Sequence, residues 1–174
     1  GVPADELVVV LGGAADLAQI PSRVCREFGP GPVVLGPRVD SLAHAGESAT
    51  VALAGLRAAA AWPGAPRPVE AEDLLPERAL DGDPLARSAL ADRVVAPLQA
   101  AGTEVLETVR TVLGNGGNLE ATARALFVHT NTVRYRLKRA AELTGYSATD
   151  PRGAWTLQVA LALAQLEGGR SLWQ

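Results

Sequence analysis

The run NLEATARALFVHTNTVRYRLKRAAEL, Asn118 to Leu143, limits the fold more than any other stretch of the chain. Two short helical patterns flank a tight break. Asn118 is placed to cap the first, Glu120 to meet the positive end of its dipole, and Ala123 and Leu126 to face inward. Phe127-Val128-His129 forms the break. Thr130 is the predicted N-cap of a second helix that runs to about Leu143 and ends at Thr144-Gly145. This is the shape of a helix-turn-helix.

The second helix, about 130–143, has the division of labour that a groove-reading helix needs. One stripe must hold it to its own domain while the other offers donors to base edges and phosphates. Val133, Leu137 and Ala140 recur at helical spacing and supply the anchor. Asn131, Arg134, Tyr135 and Lys138 recur at i, i+3, i+4 and i+7 on the opposite side. Arginine can fork onto guanine, and asparagine can pair both its hydrogen bonds with adenine. His129 and Thr130 lie at the end that points into a major groove, and Thr132, Arg136 and Arg139 flank the stripe where phosphates run. A plain amphipathic helix on a four-helix core would also explain the anchor. The short turn and the basic, aromatic-containing stripe favour double-stranded DNA as the partner.

The charge distribution agrees. The net charge of −3 hides an asymmetry. Residues 1–100 hold 8 basic and 13 acidic side chains, whereas residues 118–143 hold 5 basic and 2 acidic. An acidic body with a local basic patch suits a polyanion met over a small footprint.

Other chemistries find little support. Cys25 is the only cysteine, which excludes a disulfide within one chain or a cysteine-based metal site. His44 and His129 have no partners at ligand spacing, so no metal and no cofactor are expected. No apolar run approaches the ~18 residues of a membrane span, and a cytoplasmic protein is expected. The sequence contains no methionine, the mark of a processed product or of a piece of something longer.

Ahead of residue 103 the pattern is mixed. Glu6 to Leu11 reads as a buried strand closed by Gly12-Gly13, and residues 15–28 as a helix. Pro32 to Gly36 reads as a second strand. Ser41 to Trp62 reads as an Ala-rich helix capped by Ser41 and ended by Pro63-Gly64, and Pro68 to Glu70 as a weak third strand. Residues 72–102 read as a helical connector broken by Pro76, Pro84 and Pro97. Thr103 then opens a helix with Leu106, Val109 and Leu113 on one face, stopped by Gly114-Asn115-Gly116-Gly117. Asp150-Pro151 begins a last helix to about Glu167, apolar almost all round. The expected class is α+β, with a small α/β layer over 1–71 and an all-α domain over 103–174.

Leu106 to Leu161 resembles the C-terminal helix-turn-helix of PucR/CdaR-type bacterial transcription regulators. The resemblance lies in LETVRTVL, GNGGNLEATARALFVHTNTVRYRLKRAAELTG and DPRGAWTLQVALAL, and its specific part is HTNTVRYRLKR. The spacing is also similar to the Fis-type DNA-binding hairpin. The resemblance implies that His129, Thr130, Asn131, Arg134, Tyr135 and Lys138 face DNA. One departure stands out: many such units place glycine in the turn, and here it is Phe127-Val128. Either the turn avoids a left-handed residue or it carries ~1–2 kcal/mol of strain.

Pro3 to Leu11, PADELVVVL, resembles a GGDEF motif and its following strand, with Pro3 and Ala4 in place of the two glycines. Regulators of this kind carry a degenerate GGDEF-like domain before the helix-turn-helix. Without the glycines the backbone cannot approach a nucleotide phosphate closely. Asp5 and Glu6 are therefore expected as remnants and not as metal ligands, and no enzymatic activity is expected. The resemblance begins within that domain, so its first strands, and a sensor for a small-molecule effector, are expected upstream. One reading helix makes few base contacts, which implies a homodimer on two half-sites; the last helix and the Ala-rich 41–61 helix are the candidates for its interface. A GGDEF-type nucleotide-binding module and a protein-interaction domain without DNA binding are the alternatives.

Overall fold

The computed structural model describes residues 6–12 and 25–171. The chain is mostly helical with a small two-stranded parallel sheet, and it divides into two compact units, Gly1–Asp83 and Pro84–Gln174.

In the first unit β1 (Val34–Leu35) and β2 (Val69–Glu70) pair in parallel, with Val34 opposite Val69 and Leu35 opposite Glu70. Parallel strands need a long crossover, here built around α1 (Ala45–Ala58). Small residues let α1 lie close to the strands. A Cβ on Gly55 would stand 2.8 Å from Val34 Cγ1 and 3.3 Å from Ala71 Cβ. Ala59, Val69 and Leu74 form the buried cluster beneath, with Val34, Trp62 and Ala65 packed on it. In α2 (Leu75–Leu80) Arg78 is buried, and each of its three guanidinium nitrogens donates a hydrogen bond. Nε and Nη2 donate to Asp83 Oδ2 at 2.9 and 2.7 Å, and Nη1 donates to the Ala71 carbonyl at 2.9 Å.

The strands expected at 32–36 and 68–70 are present as β1 and β2, and the Ala-rich helix as α1. Its start differs: Ser41 makes no side-chain cap, its Oγ lies 3.0 Å from His44 Nδ1, and the helix is entered through a 3-10 turn at Leu42–His44. The strand expected over Glu6–Leu11 is absent. Residues 6–12 form no ladder, and Leu7 to Leu11 are exposed. β-branched composition marks a segment able to be buried, but a strand exists only where another segment offers its hydrogen bonds. Among the described residues none pairs with this one. Of the predicted helix 15–28, residues 15–24 lie outside the described residues and Cys25–Glu27 is a single 3-10 turn. Pro3, Ala4 and Asp5 also lie outside them.

Among the described residues the regular structure of the second unit is all helical. α3 (Pro84–Leu90) leads through a π-helical turn, Ala91–Val95, into α4 (Ala96–Ala100). Pro97 brings no N–H to this helix. Just before it the spiral widens, and the Ala96 N–H reaches back five residues to the Ala91 carbonyl. α5 (Thr103–Gly114), α6 (Leu119–Ala125), α7 (Thr130–Thr144) and α8 (Pro151–Ser171) follow. Leu90, Val94, Leu98, Val109, Val133 and Leu157 meet in the core. The buried threonines of this core cost little. Thr108, Thr122, Thr144 and Thr156 each return their hydroxyl hydrogen to the carbonyl four residues earlier on the same helix.

Asp150 caps α8, its Oδ2 accepting from the Gly153 N–H at 2.8 Å. Gly153 is pressed onto the preceding loop, where a Cβ would meet the Ser147 carbonyl oxygen at 2.4 Å. One side of α8, with Leu157, Ala160 and Leu161, is buried; Trp155 and Leu166 are exposed. Among the described residues no helix is long and apolar enough to cross a membrane.

Candidate nucleic-acid interface

The site is built on α6, the turn Leu126–His129, and α7. Asn118 opens α6 by accepting the Ala121 N–H on its Oδ1 at 2.9 Å. The helix closes in a Schellman arrangement. The Val128 N–H bonds the Ala123 carbonyl at 3.0 Å and the Phe127 N–H bonds the Arg124 carbonyl at 3.3 Å. That motif needs a left-handed residue at its second-to-last position. Phe127 takes it, with φ of 54°, the one non-glycine residue at positive φ among those described. The turn therefore uses the strained geometry at ~1–2 kcal/mol. The ring recovers none of this by packing, since Phe127 is 96% exposed.

The next helix begins at once. The N-cap of α7 is His129, not Thr130: the imidazole Nδ1 accepts the Asn131 N–H at 3.1 Å, and the His129 carbonyl takes the Thr132 N–H at 2.9 Å. Thr130 becomes the first helical residue. Imidazole is an uncommon cap, and the preference for Ser, Thr, Asp or Asn at that position pointed one residue too far along. Gly145, with φ of 79°, ends the helix.

α7 is held by Val133, Leu137 and Ala140, of which Val133 is 0% exposed. They pack toward α5 and α6. The opposite side is open. Asn131, Arg134, Tyr135 and Lys138 are exposed, Tyr135 to 71%. Arg134 Nη1 donates to Asn131 Oδ1 at 2.9 Å, so two side chains one turn apart are already joined at the surface. Lys138 Nζ and Arg139 Nη1 stand 3.9 and 3.8 Å from the carboxylate of Glu142. Exposed pairs of that length hold weakly and leave both cations free to swing toward another anion. Thr130 and Thr132 are half-buried, and His129 is exposed.

Arg136 is placed differently. Its side chain is 17% exposed, and it reaches across to α5, where Nη2 bonds Glu104 Oε2 and Nη1 lies 3.4 Å from Thr108 Oγ1. Sequence spacing offered no sign of this tie, because Glu104 lies 32 residues away. Arg124, on α6, is exposed. Together with Glu120, Ala123, Phe127, Val128, His129 and Thr130 it lines a shallow concavity of ≈670 Å³ beside the start of α7. Among the described residues no cluster of three or more His, Cys, Asp or Glu is arranged to hold a metal ion.

Residues 105–163 match the PucR C-terminal helix-turn-helix domain. An uncharacterised protein of Mycobacterium tuberculosis is 52% identical over 139 residues, which is 80% of this chain and 34% of that protein. The chain thus spans about a third of the length of these curated relatives. The purine catabolism regulatory protein of Bacillus subtilis is 36% identical over 72 residues, 41% of this chain and 14% of that protein. The crystal structure of a regulator of polyketide synthase expression from Bifidobacterium adolescentis superposes with a TM-score of 0.78 at 41% identity. It covers 90% of this chain and 63% of that one. Residues 105–163, running from α5 into α8, therefore match a PucR-type C-terminal helix-turn-helix domain, in a chain homologous to bacterial regulators of purine catabolism and polyketide synthase expression.

Proposed function

We propose that this chain is the DNA-binding part of a transcription regulator that is not an enzyme, with α7 entering the major groove. The observation that carries this reading is the two-sided character of α7. Val133, Leu137 and Ala140 fix it from beneath, and Asn131, Arg134, Tyr135 and Lys138 are exposed above. Asn131, Arg134 and Tyr135 read base edges, with His129 and Thr130 at the leading end. Lys138, Arg139, Thr132 and Arg124 meet phosphates. Arg136 acts through its bond to Glu104, setting the angle between α7 and α5.

The protein works in the cytoplasm as a homodimer on half-sites about one DNA turn apart, since one helix reads too few bases for tight specific binding. The exposed Trp155 and Leu166 on α8 support that helix as the surface of association. Residues 103–174 carry the DNA-binding helices, and residues 84–102, in the same compact unit, complete their core. The run at Pro3–Leu11 supports reading residues 1–71 as a degenerate GGDEF-like layer.

Selection of bound duplexes from a random pool with the purified chain tests the activity and yields the half-site together. The recovered duplex is expected to bind with an affinity that falls steeply as salt rises, by about 0.9 in log–log slope per phosphate met. Arg134→Ala combined with Lys138→Ala is expected to lower that affinity at least roughly tenfold, about 1.4 kcal/mol. A salt-insensitive complex, or undiminished binding by the double variant, would defeat the reading.

A further inference from the structure

We infer that Phe127 is itself a DNA-contacting residue, whose ring lies on the apolar surface of the duplex beside the groove that α7 enters. The inference rests on the proposed function and extends it to a side chain that the basic stripe does not include.

The Schellman turn that closes α6 is made by backbone groups alone, and glycine would satisfy it without strain. Phe127 instead holds φ at 54° and leaves its ring 96% exposed. Folding gains nothing from that ring, so whatever the aromatic group contributes lies outside the protein. Its position says where. Phe127 is two residues ahead of His129, the cap of α7, and shares one concavity with Arg124, His129 and Thr130. A helix that enters a groove by its N-terminus brings the preceding turn against the wall of that groove. The wall alternates anionic phosphates with apolar deoxyribose faces, and thymine methyl groups project from its floor. Arg124 is the cation for a neighbouring phosphate, Glu120 offsets it within the concavity, and the ring is the apolar element between them. The contact therefore adds affinity without adding charge.

The experiment compares the wild-type chain with Phe127→Gly, Phe127→Asn and Phe127→Tyr on a duplex recovered by the selection above, across a salt series. Glycine and asparagine both tolerate the left-handed backbone, so these variants remove the ring and keep the turn. Both are expected to bind about tenfold more weakly with an unchanged salt slope, while their melting temperatures stay level or rise. Phe127→Tyr is expected to bind like the wild type. Replacing thymine by uracil in the duplex separates the two apolar sources. A loss confined to the thymine duplex assigns the ring to a methyl group, and an equal loss on both assigns it to deoxyribose.

Wild-type affinity in Phe127→Gly overturns the inference. So does a salt slope lowered by about one phosphate, ~0.9, or a loss that tracks a lower melting temperature in both small variants. Weakened self-association with intact DNA binding would assign the ring to a second copy of the chain and overturn it too. Failure of the underlying reading is distinguishable, because it appears in the wild type as salt-insensitive binding or none.

Discussion

The two units reach order by opposite routes. In the second unit, apart from the Arg136 tie to Glu104, the capping and buried hydroxyl groups find their partners nearby. Asn118, His129 and Asp150 cap their own helices, and four buried threonines bond within one turn. In the first unit the decisive bonds span long stretches of chain. Val34 pairs with Val69, and Arg67 donates to the carbonyls of Phe28, Gly29 and Gly31 across 36–39 residues. Ser48 Oγ donates to the Pro37 carbonyl at 2.7 Å. A surface that must present one fixed set of side chains is thus mounted on elements that specify themselves. The α/β unit depends on close approach between distant segments.

Five substitutions test that contrast. Val133→Asp should have the largest effect: an unpaired carboxylate under α7 costs on the order of 4 kcal/mol, and thermal melts should show loss of the helical unit. Gly55→Val attacks the other unit where α1 touches β1. Overpacking there is expected to cost about 1–3 kcal/mol, and hydrogen exchange at Val69 and Ala71, whose N–H groups bond the Val33 and Leu35 carbonyls, should accelerate while the amides of α7 stay protected. If those of α7 loosen equally, the division into separately specified units is wrong.

Arg136→Ala and Arg134→Ala sharpen the contrast within a single helix. Loss of the Arg136 tie to Glu104 is expected to cost about 1 kcal/mol in a denaturant titration. Arg134→Ala should leave stability within roughly 0.5 kcal/mol and act on DNA affinity instead. The smallest effect is expected at Glu70. Desolvation, and then the nearby Asp73, raise its carboxyl above the ordinary value. The folded state therefore holds this proton to higher pH than the unfolded chain, and stability falls slightly as pH rises through the window just above the usual carboxylate range. Glu70→Gln should flatten that slope; an unchanged profile would remove Glu70 as its source.

The same contrast decides how much could be read from residues alone. Helix signals are local, so Asn118, Gly145 and Asp150-Pro151 marked boundaries that the structure keeps, and Val133, Leu137 and Ala140 identified the buried face of α7. The strand expected at Glu6–Leu11 failed because composition speaks of burial and never names a pairing partner. Arg136 looked equivalent to Arg134 and Lys138 for a similar reason, since nothing within a helical turn of it reveals Glu104. At the turn the alternatives were open, and Phe127 settled them by taking the left-handed geometry. His129 shifted the cap by one residue because its ring nitrogen does what a carboxamide or hydroxyl oxygen usually does.

That cap has one more effect. An imidazole can receive the Asn131 amide hydrogen on Nδ1 only if that nitrogen carries no proton. The mobile hydrogen of the neutral ring is then confined to Nε2, on the far edge of the heterocycle. By closing the helix, His129 fixes its own tautomer, and whatever meets that edge meets a donor. Guanine O6 or N7, thymine O4 and a phosphate oxygen can all accept it, whereas the amino groups of adenine and cytosine cannot.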